Sequence, residues 1–459
     1  MTKLRHGPGM TTLARKLGTF DYFALAFGTM VGTGWLIVMD DWLRRGGPVG
    51  AVLGFAVGGA ALVPIGCVYG RLVMAMPDAA SEIAYTGRVF SPSVSFATGW
   101  VMVLAYLPVC PWEAVAVGKI AAYIFPGLNS APLYNVAGKP VYLPHLIIGL
   151  TLAAGISILN YRGIRDSATF QNWTTAGLFV LFAVFAICGL ARGSIQNFVP
   201  AFSHAGRFGG LVSIVLVIQI VPFFLTGFES VSKCSEESTP DFRASGFFRA
   251  IMLALVVGVL FYTSVIAVVA YVYPWPALVT EKFATAVAFE RAFRSPWIVD
   301  LILVAALLSL VKIFNGNFIA ASRLLFALGR RGLVDPRFGR VHPANRTPAV
   351  AVVSVGLLTV AAVFLGEAIL IPVTEVGSLA SAVGWFATCA SYYRIEPPGR
   401  GRVMAIAGMA VGATLVLMKF LPVVPGHFTV YEYAALGLWG LLGLALKRGS
   451  SEDSGSKRG

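Results

Sequence analysis

Three glycines, Gly28, Gly32 and Gly34, stand in the stretch AFGTMVGTGWLIV, with Thr29 and Thr33 between them. The stretch is apolar enough to cross a bilayer, yet its middle holds the residue type that helices tolerate poorly. Glycine costs about 1 kcal/mol relative to alanine inside a helix. Two chemistries could justify that cost. Small residues let a neighbouring helix approach closely, as Gly-xxx-Gly pairs do. Alternatively, the helix is unwound near Val31, Gly32, Thr33 and Gly34, which survives at membrane depth only where it lines a cavity. The bared N–H groups, backed by the positive end of the next half-helix, would then face a ligand and favour an anionic group.

A second stretch, IQIVPFFLTGFESVSKCSEES from Ile218 to Ser238, repeats the theme. Pro222 and Thr226-Gly227 mark a helix break, and Glu229 puts a carboxylate in an apolar run. An ionisable side chain there is a functional candidate by default; its alternative is a structural hydrogen-bond acceptor beside the break. Two more charges lie inside apolar runs: Glu113, flanked by Pro108 and Pro111, and Lys312 in LVKIFNGNFIAASR. Against lipid each would cost roughly 2.5–3.5 kcal/mol on insertion scales, and snorkelling gives no relief at the centre of a span. Lys312 therefore either pairs with an acidic side chain and holds helices together, or takes up and releases a proton. Asn315 and Asn317 read as polar lining or interhelical glue.

Other chemistries are missing. Cys67, Cys110, Cys188, Cys234 and Cys389 are odd in number and lie in or beside apolar runs. They read as small buried residues, not as a disulfide frame or metal cluster. The histidines show neither HxxxH nor HExxH spacing, and the chain has no GxxxxGK[ST] phosphate loop, no GxSxG elbow and no CxxC pair. An intramembrane enzyme would want a His/Asp or Ser/Lys constellation, which is not found, and no cofactor is expected. Without a phosphate loop a primary pump is disfavoured, so any work is driven by a gradient or runs downhill.

The elements that must position these residues follow from composition. Of 459 residues 57% are hydrophobic and 12% charged, with mean hydropathy +0.78. A soluble chain of this size needs far more charge. Apolar runs of about 20 residues recur throughout, the length of a membrane-crossing helix. About twelve such spans fall near 20–39, 49–72, 95–123, 143–160, 168–191, 211–232, 248–273, 297–328, 348–365, 369–393, 403–421 and 428–446. The fold class is thus all-α integral membrane, without a large soluble domain. The first span lacks a cleavage site and is kept in the mature protein.

With both termini cytoplasmic, the inner side carries roughly 24 basic residues and the outer roughly 10. The net charge of +14 then reflects positive-inside bias and contact with anionic lipid. It does not signal nucleic-acid binding, for which no basic soluble module exists. Residues 1–18 read as a flexible cytoplasmic tail, 19–446 as one transmembrane domain and 447–459 as a second tail. Gly50, Gly54 and Gly58, four apart in the second span, suit close packing. MPDAASEIAYTGRVF reads as an interfacial helix with Arg71 and Arg88 near headgroups, and YPWPALVTEKFATAVAFERAF as an outer lid. The interrupted spans are the first and sixth, as expected of two five-helix repeats, about 20–192 and 211–393, inverted because five is odd. The helices of about 403–446 lie outside the repeat and serve dimer contacts or buttress the bundle; the oligomeric state stays open.

These residues also carry a resemblance. GTMVGTGWL is similar to the GxxxGxG signature that opens the amino acid–polyamine–organocation superfamily of permeases. FFLTGFESVSKCSEE resembles its sixth-span signature, and ASRLLFALGRRGLVDPRFGRVHPANRTP its loop after the eighth span. One departure is Arg331-Gly332, where the family often has Asp-Gly, which bears on inner-loop salt bridges. The resemblance implies the leucine-transporter fold, with alternating access around a site at mid-membrane. It implies that the N–H groups of Gly32, Thr33 and Gly34, with the Thr33 hydroxyl, meet a substrate carboxylate. It further implies that carbonyls of Met30 and Val31, and of Phe223, Phe224 and Thr226 beside Gly227, meet an amine. Phe223, Phe224 and Phe228 are candidates for the pocket wall or a gate, their alternative being ordinary packing. Lys312, Glu229 and Glu113 are the coupling or gating candidates. An ammonium on the eighth span would stand where sodium-coupled relatives hold a cation, so sodium dependence is not expected.

The implied function is secondary transport of an amino acid or closely related small amine across the cell membrane, by proton symport or exchange. The alternatives are a polyamine or amino-alcohol permease, and a non-transporting receptor or channel on the same scaffold. The expected partners are a small amino acid substrate and membrane lipid.

Overall fold

The computed structural model describes residues 13–281, 283–294, 296–424 and 427–447. The outer parts of both expected tails, 1–12 and 448–459, lie outside the described residues. The first interrupted segment forms α1 (Thr19–Met30) and α2 (Gly34–Ile37), and α3 (Met39–Ala75) follows directly. Then come α4 (Glu82–Gly87), α5 (Pro92–Tyr106) and α6 (Val109–Ile124), the last two joined by a bend at Leu107-Pro108. A hairpin of β1 (Pro132–Val136) and β2 (Lys139–Tyr142) leads to α7 (Leu143–Arg162) and α8 (Ile164–Arg192). The second interrupted segment is α9 (Gly209–Ile218), α10 (Val221–Leu225) and α11 (Ser230–Lys233). Beyond it lie α12 (Ser245–Val272), α13 (Ala284–Phe293), α14 (Pro296–Arg330), α15 (Ala349–Val363), α16 (Leu370–Ile395), α17 (Arg400–Phe420) and α18 (Val430–Leu446).

Among the described residues, eight segments are long and apolar enough to cross a membrane: Thr19–Ile37, Met39–Ala75, Pro92–Ile124, Leu143–Arg162, Ile164–Arg192, Ser245–Val272, Trp297–Arg330 and Arg400–Phe420. Three shorter apolar helices, α9, α15 and α18, accompany them. The chain is therefore a helical, multi-pass membrane protein. Burial sorts the spans into layers. The apolar stretches of α1–α2 and α5–α6 are 83% buried and that of α14 is 61%, whereas those of α7, α8 and α17 are only 28% buried. The first three build the centre; the others turn most of their surface outward, where lipid tails solvate it.

Helix packing follows the sequence pattern where small residues set it. A Cβ on Gly50, Gly54 or Gly58 would meet Ser213, Val217 or Val221 at 2.6–3.0 Å, so this face of α3 lies directly on α9 and α10. The helical class holds, with one hairpin in a connection: β1 and β2 pair antiparallel, Val136 opposite Lys139. Their two-residue turn, Ala137-Gly138, has φ 47° and 76°, the left-handed geometry that matches strand twist. Two local expectations need correction. First, α4 is not an interfacial helix, because Glu82, Ile83, Ala84, Tyr85 and Thr86 are all buried inside the protein. Second, residues 13–18 are not a loose tail. Leu13 and Leu17 are buried, and the Lys16 and Leu17 N–H groups donate to the Glu237 carbonyl at 2.7 and 2.9 Å.

Candidate functional site

The two helix interruptions face each other. Helix α1 stops at Met30, Val31 turns to φ −94°, ψ 102°, and α2 starts at Gly34. Helix α10 stops at Leu225, Thr226 is extended, and α11 starts at Ser230. Gly227 makes the second turn at φ 131°, a conformation open to glycine and costly for other residues. A Cβ there would stand 2.8 Å from the Met30 nitrogen, so the breaks touch backbone to backbone. Between them lies a small cavity of about 10 Å³, room for about one water. Its wall includes Met30, Gly32, Gly34, Phe223, Phe224, Thr226 and Glu113.

Side chains from three other helices reach the first break. The Thr33 hydroxyl donates to Glu113 Oε2 at 2.9 Å, and the Thr33 backbone also acts on that carboxylate. From α14, Ser309 donates to the carbonyls of Gly32 and Val31 at 2.8 and 3.2 Å, and Asn317 donates to Thr29 at 3.1 Å. From α12, Tyr262 donates to the Met30 carbonyl at 3.0 Å. The carbonyls of the first break are thus partnered, as they must be away from water. At the second break the Thr226 hydroxyl lies 2.5 Å from Ser381 on α16.

Lys312 has its own surroundings. It is fully buried, crosses α1 at Gly28, where a Cβ would lie 3.0 Å from its Cγ, and sets its ammonium 4.5 Å from the Phe27 ring centre. Nζ has no hydrogen-bond partner among the described residues, and Glu113 is the carboxylate that acts on it electrostatically. The permanent ion pair considered from sequence is not formed. Asn315, one turn on, is interhelical glue: it accepts from Asn160 on α7 and from Ser167 on α8, and donates to Gln171 at 3.0 Å.

Glu229 sits off the cavity. It accepts from Tyr106 at 2.8 Å and from the Gly227 N–H at 3.1 Å, the role of a structural acceptor that holds the turn. Phe228 also departs from expectation. It is packed against Tyr69 and Trp385 and does not line the cavity. Phe224 does line it and meets Trp42 edge to face at 4.8 Å. Sequence reasoning missed Tyr262, Ser309, Ser381 and Trp112, the last on α6 in the cavity wall; all are ordinary in type and local context. It also missed the fully buried pair Lys233–Glu82 at 2.7 Å, although Lys233 was visible four residues after Glu229.

The helical membrane fold encloses a small cavity between two facing helix breaks, an arrangement suited to holding a small solute. The chain belongs to the amino acid permease family, whose sequence profile matches residues 17–438. It is similar to the branched-chain amino acid permease BcaP of Bacillus subtilis, 24% identical over 455 residues, or 95% of this chain and 93% of that protein. It is also similar to the methylthioribose transporter of the same organism (26% identical, 73% and 72% covered). The amino-acid permease RocE, again from that organism, is 23% identical with 81% and 79% covered. The protein is a transporter, not an enzyme.

Proposed function

We propose that the chain is a secondary transporter of amino acids in the cell membrane, with both termini cytoplasmic, working by alternating access around the two breaks. The observation that carries this reading is the meeting of Met30, Gly32 and Gly34 with Phe223, Phe224 and Thr226 around one cavity, with Gly227 packed on the backbone of Thr29 and Met30. A helix start supplies donors for a carboxylate and a helix end supplies acceptors for an amine, so the pair suits a zwitterion. The cavity's small volume fits a closed state that must open to admit solute. The twelve-span count treats α9–α11, α15, α16 and α18 as further spans. The inverted relation between residues 20–192 and 211–393 is part of the same proposal.

Coupling is read as proton symport or exchange. The Lys312 ammonium lies against α1 with a free donor, and a sodium ion placed beside it would be repelled. A second reading, an amine lacking a carboxylate, is favoured by one feature: the Glu113 carboxylate already occupies Thr33. Uptake by vesicles reconstituted with the protein separates these readings. An amino acid and amine panel is offered with and without imposed proton or sodium gradients. The expected result is accumulation of a zwitterionic amino acid driven by the proton gradient or by a preloaded counter-substrate. Accumulation of amines alone supports the second reading, and sodium-driven uptake overturns the coupling.

A further inference from the structure

A second cavity lies far from the helix breaks, on the outer face of the bundle between α5, α16 and α18. Its volume is about 390 Å³, and its wall is almost wholly apolar: Ala97, Val101 and Leu104 on one side, Leu436 and Gly440 on the other, Leu379 at the deep end. The Trp100 and Trp439 rings stack at 4.5 Å along it. Each indole N–H donates to the other residue's carbonyl, at 2.9 and 3.1 Å, so no polar group of the pair is left for the groove. α5 and α18 run antiparallel here. Ser93 to Leu104 and Lys447 to Leu436 each span eleven residues, about 16 Å at 1.5 Å per residue. That is one leaflet of a hydrocarbon core about 30 Å thick.

The shallow end is cationic. Lys447 donates to Ser93 at 2.9 Å and stands over Phe96. An ammonium has three donors, so two remain. Arg394, at the end of α16, stands over Phe90 and donates to the Val89 carbonyl at 3.4 Å, just before α5 begins. Among the described residues no carboxylate pairs with Lys447 or Arg394. A single-leaflet apolar slot capped by a cation with no carboxylate partner matches one kind of molecule. We propose that the groove binds an anionic phospholipid, one acyl chain lying along Trp100 and Trp439 and the phosphate at Lys447 and Ser93. A second copy of the chain fits less well, since it would bring its own cations to the same end.

Gly440 makes the site testable. It lines the groove, and a Cβ there meets nothing within 4 Å, whereas Gly437 is equally open but lies off the groove. The full-length protein is reconstituted in phosphatidylcholine with increasing fractions of mid-chain brominated phosphatidylglycerol or brominated phosphatidylcholine. Tryptophan quenching is read against the W100F/W439F double variant, which isolates the stacked pair. The pair should be quenched by the anionic lipid with about fivefold preference for each cation engaged. Lys447→Ala should lower that preference by a like factor and Lys447→Arg keep it. Gly440→Leu should remove quenching of the pair by either lipid, and Gly437→Leu should leave it intact. Equal quenching by both lipids, or a preference untouched by Lys447→Ala, would leave only ordinary boundary lipid and overturn the proposal. So would a pair shielded from both lipids, as a bound second copy would leave it.

Discussion

At the scale of single residues, the site is made by side chains too small to be seen and side chains too buried to be paired cheaply. A Cβ on Gly32 would stand 2.5 Å from Ile313 and 2.9 Å from Glu113, and one on Gly227 2.8 Å from backbone. Gly32→Val and Gly227→Val should therefore abolish uptake while the protein still inserts and elutes as a folded species; normal uptake by both would remove the broken-helix site. Lys312 poses the opposite case. Its ammonium is buried without a hydrogen bond among the described residues, held by a ring contact of the kind worth about 2 kcal/mol when desolvated. Lys312→Met should leave thermal stability equal or higher and flatten the pH dependence of uptake. An unchanged pH profile would make the lysine structural. Glycine spacing was legible in the sequence because backbone conformation is local. The partners Tyr262 and Ser309 were not, because any hydroxyl on α12 or α14 could have filled the role until the helices were placed.

At the scale of elements, interruption and contact share one backbone. Helix α3 uses Gly50, Gly54 and Gly58 to lie on α9 and α10, and α10 in turn carries the second break. The helix that holds the cavity wall is thus positioned by a stripe of small residues far from it in sequence. Gly54→Leu drives a side chain into Val217, 2.6 Å from the Cβ position. Overpacking of this kind costs about 1–3 kcal/mol, and a lowered unfolding temperature in detergent, with a shifted α10, should register it. An unaltered melting curve would show that α3 and α9 are free to separate. The stripe was readable from its spacing of four. The buried fate of α4 was not, since its polar composition fits an interface equally well until Lys233 supplies a partner for Glu82.

Across the whole molecule, ion pairs tie one end of the bundle together. Arg323 pairs with Glu237 at 2.8 Å, both side chains 1% exposed. Arg330 bonds Glu236 and Asp78, and Arg331 bonds Asp78 at 2.6 Å. The Arg331-Gly332 departure from the family pattern thus adds a bond to the cluster. Glu237 also receives the chain's entry segment through its carbonyl. Removing one partner of a buried pair costs about 3–5 kcal/mol, while replacing both by apolar residues is often neutral. Arg323→Met should lower stability by that order in denaturant unfolding, and Arg323→Met with Glu237→Leu should recover most of it. No recovery would mean that the arginine contributes contacts other than the charge pair.

The sequence by itself determined the membrane setting, the helical class, the places where α1 and α10 end, and that Glu113, Glu229 and Lys312 would be buried. Each of these depends on composition, on residue spacing, or on the backbone limits of glycine and proline, all of which act over a few neighbouring residues. Tertiary structure alone decided that Glu113 rests on Thr33, that Glu229 supports a turn, that Phe228 packs on Tyr69 and Trp385 away from the cavity, and that Lys312 has no hydrogen-bond partner among the described residues. Those outcomes depend on how helices distant in sequence are rotated and stacked. A rotation of one helix by part of a turn would exchange every partner without altering a single local preference.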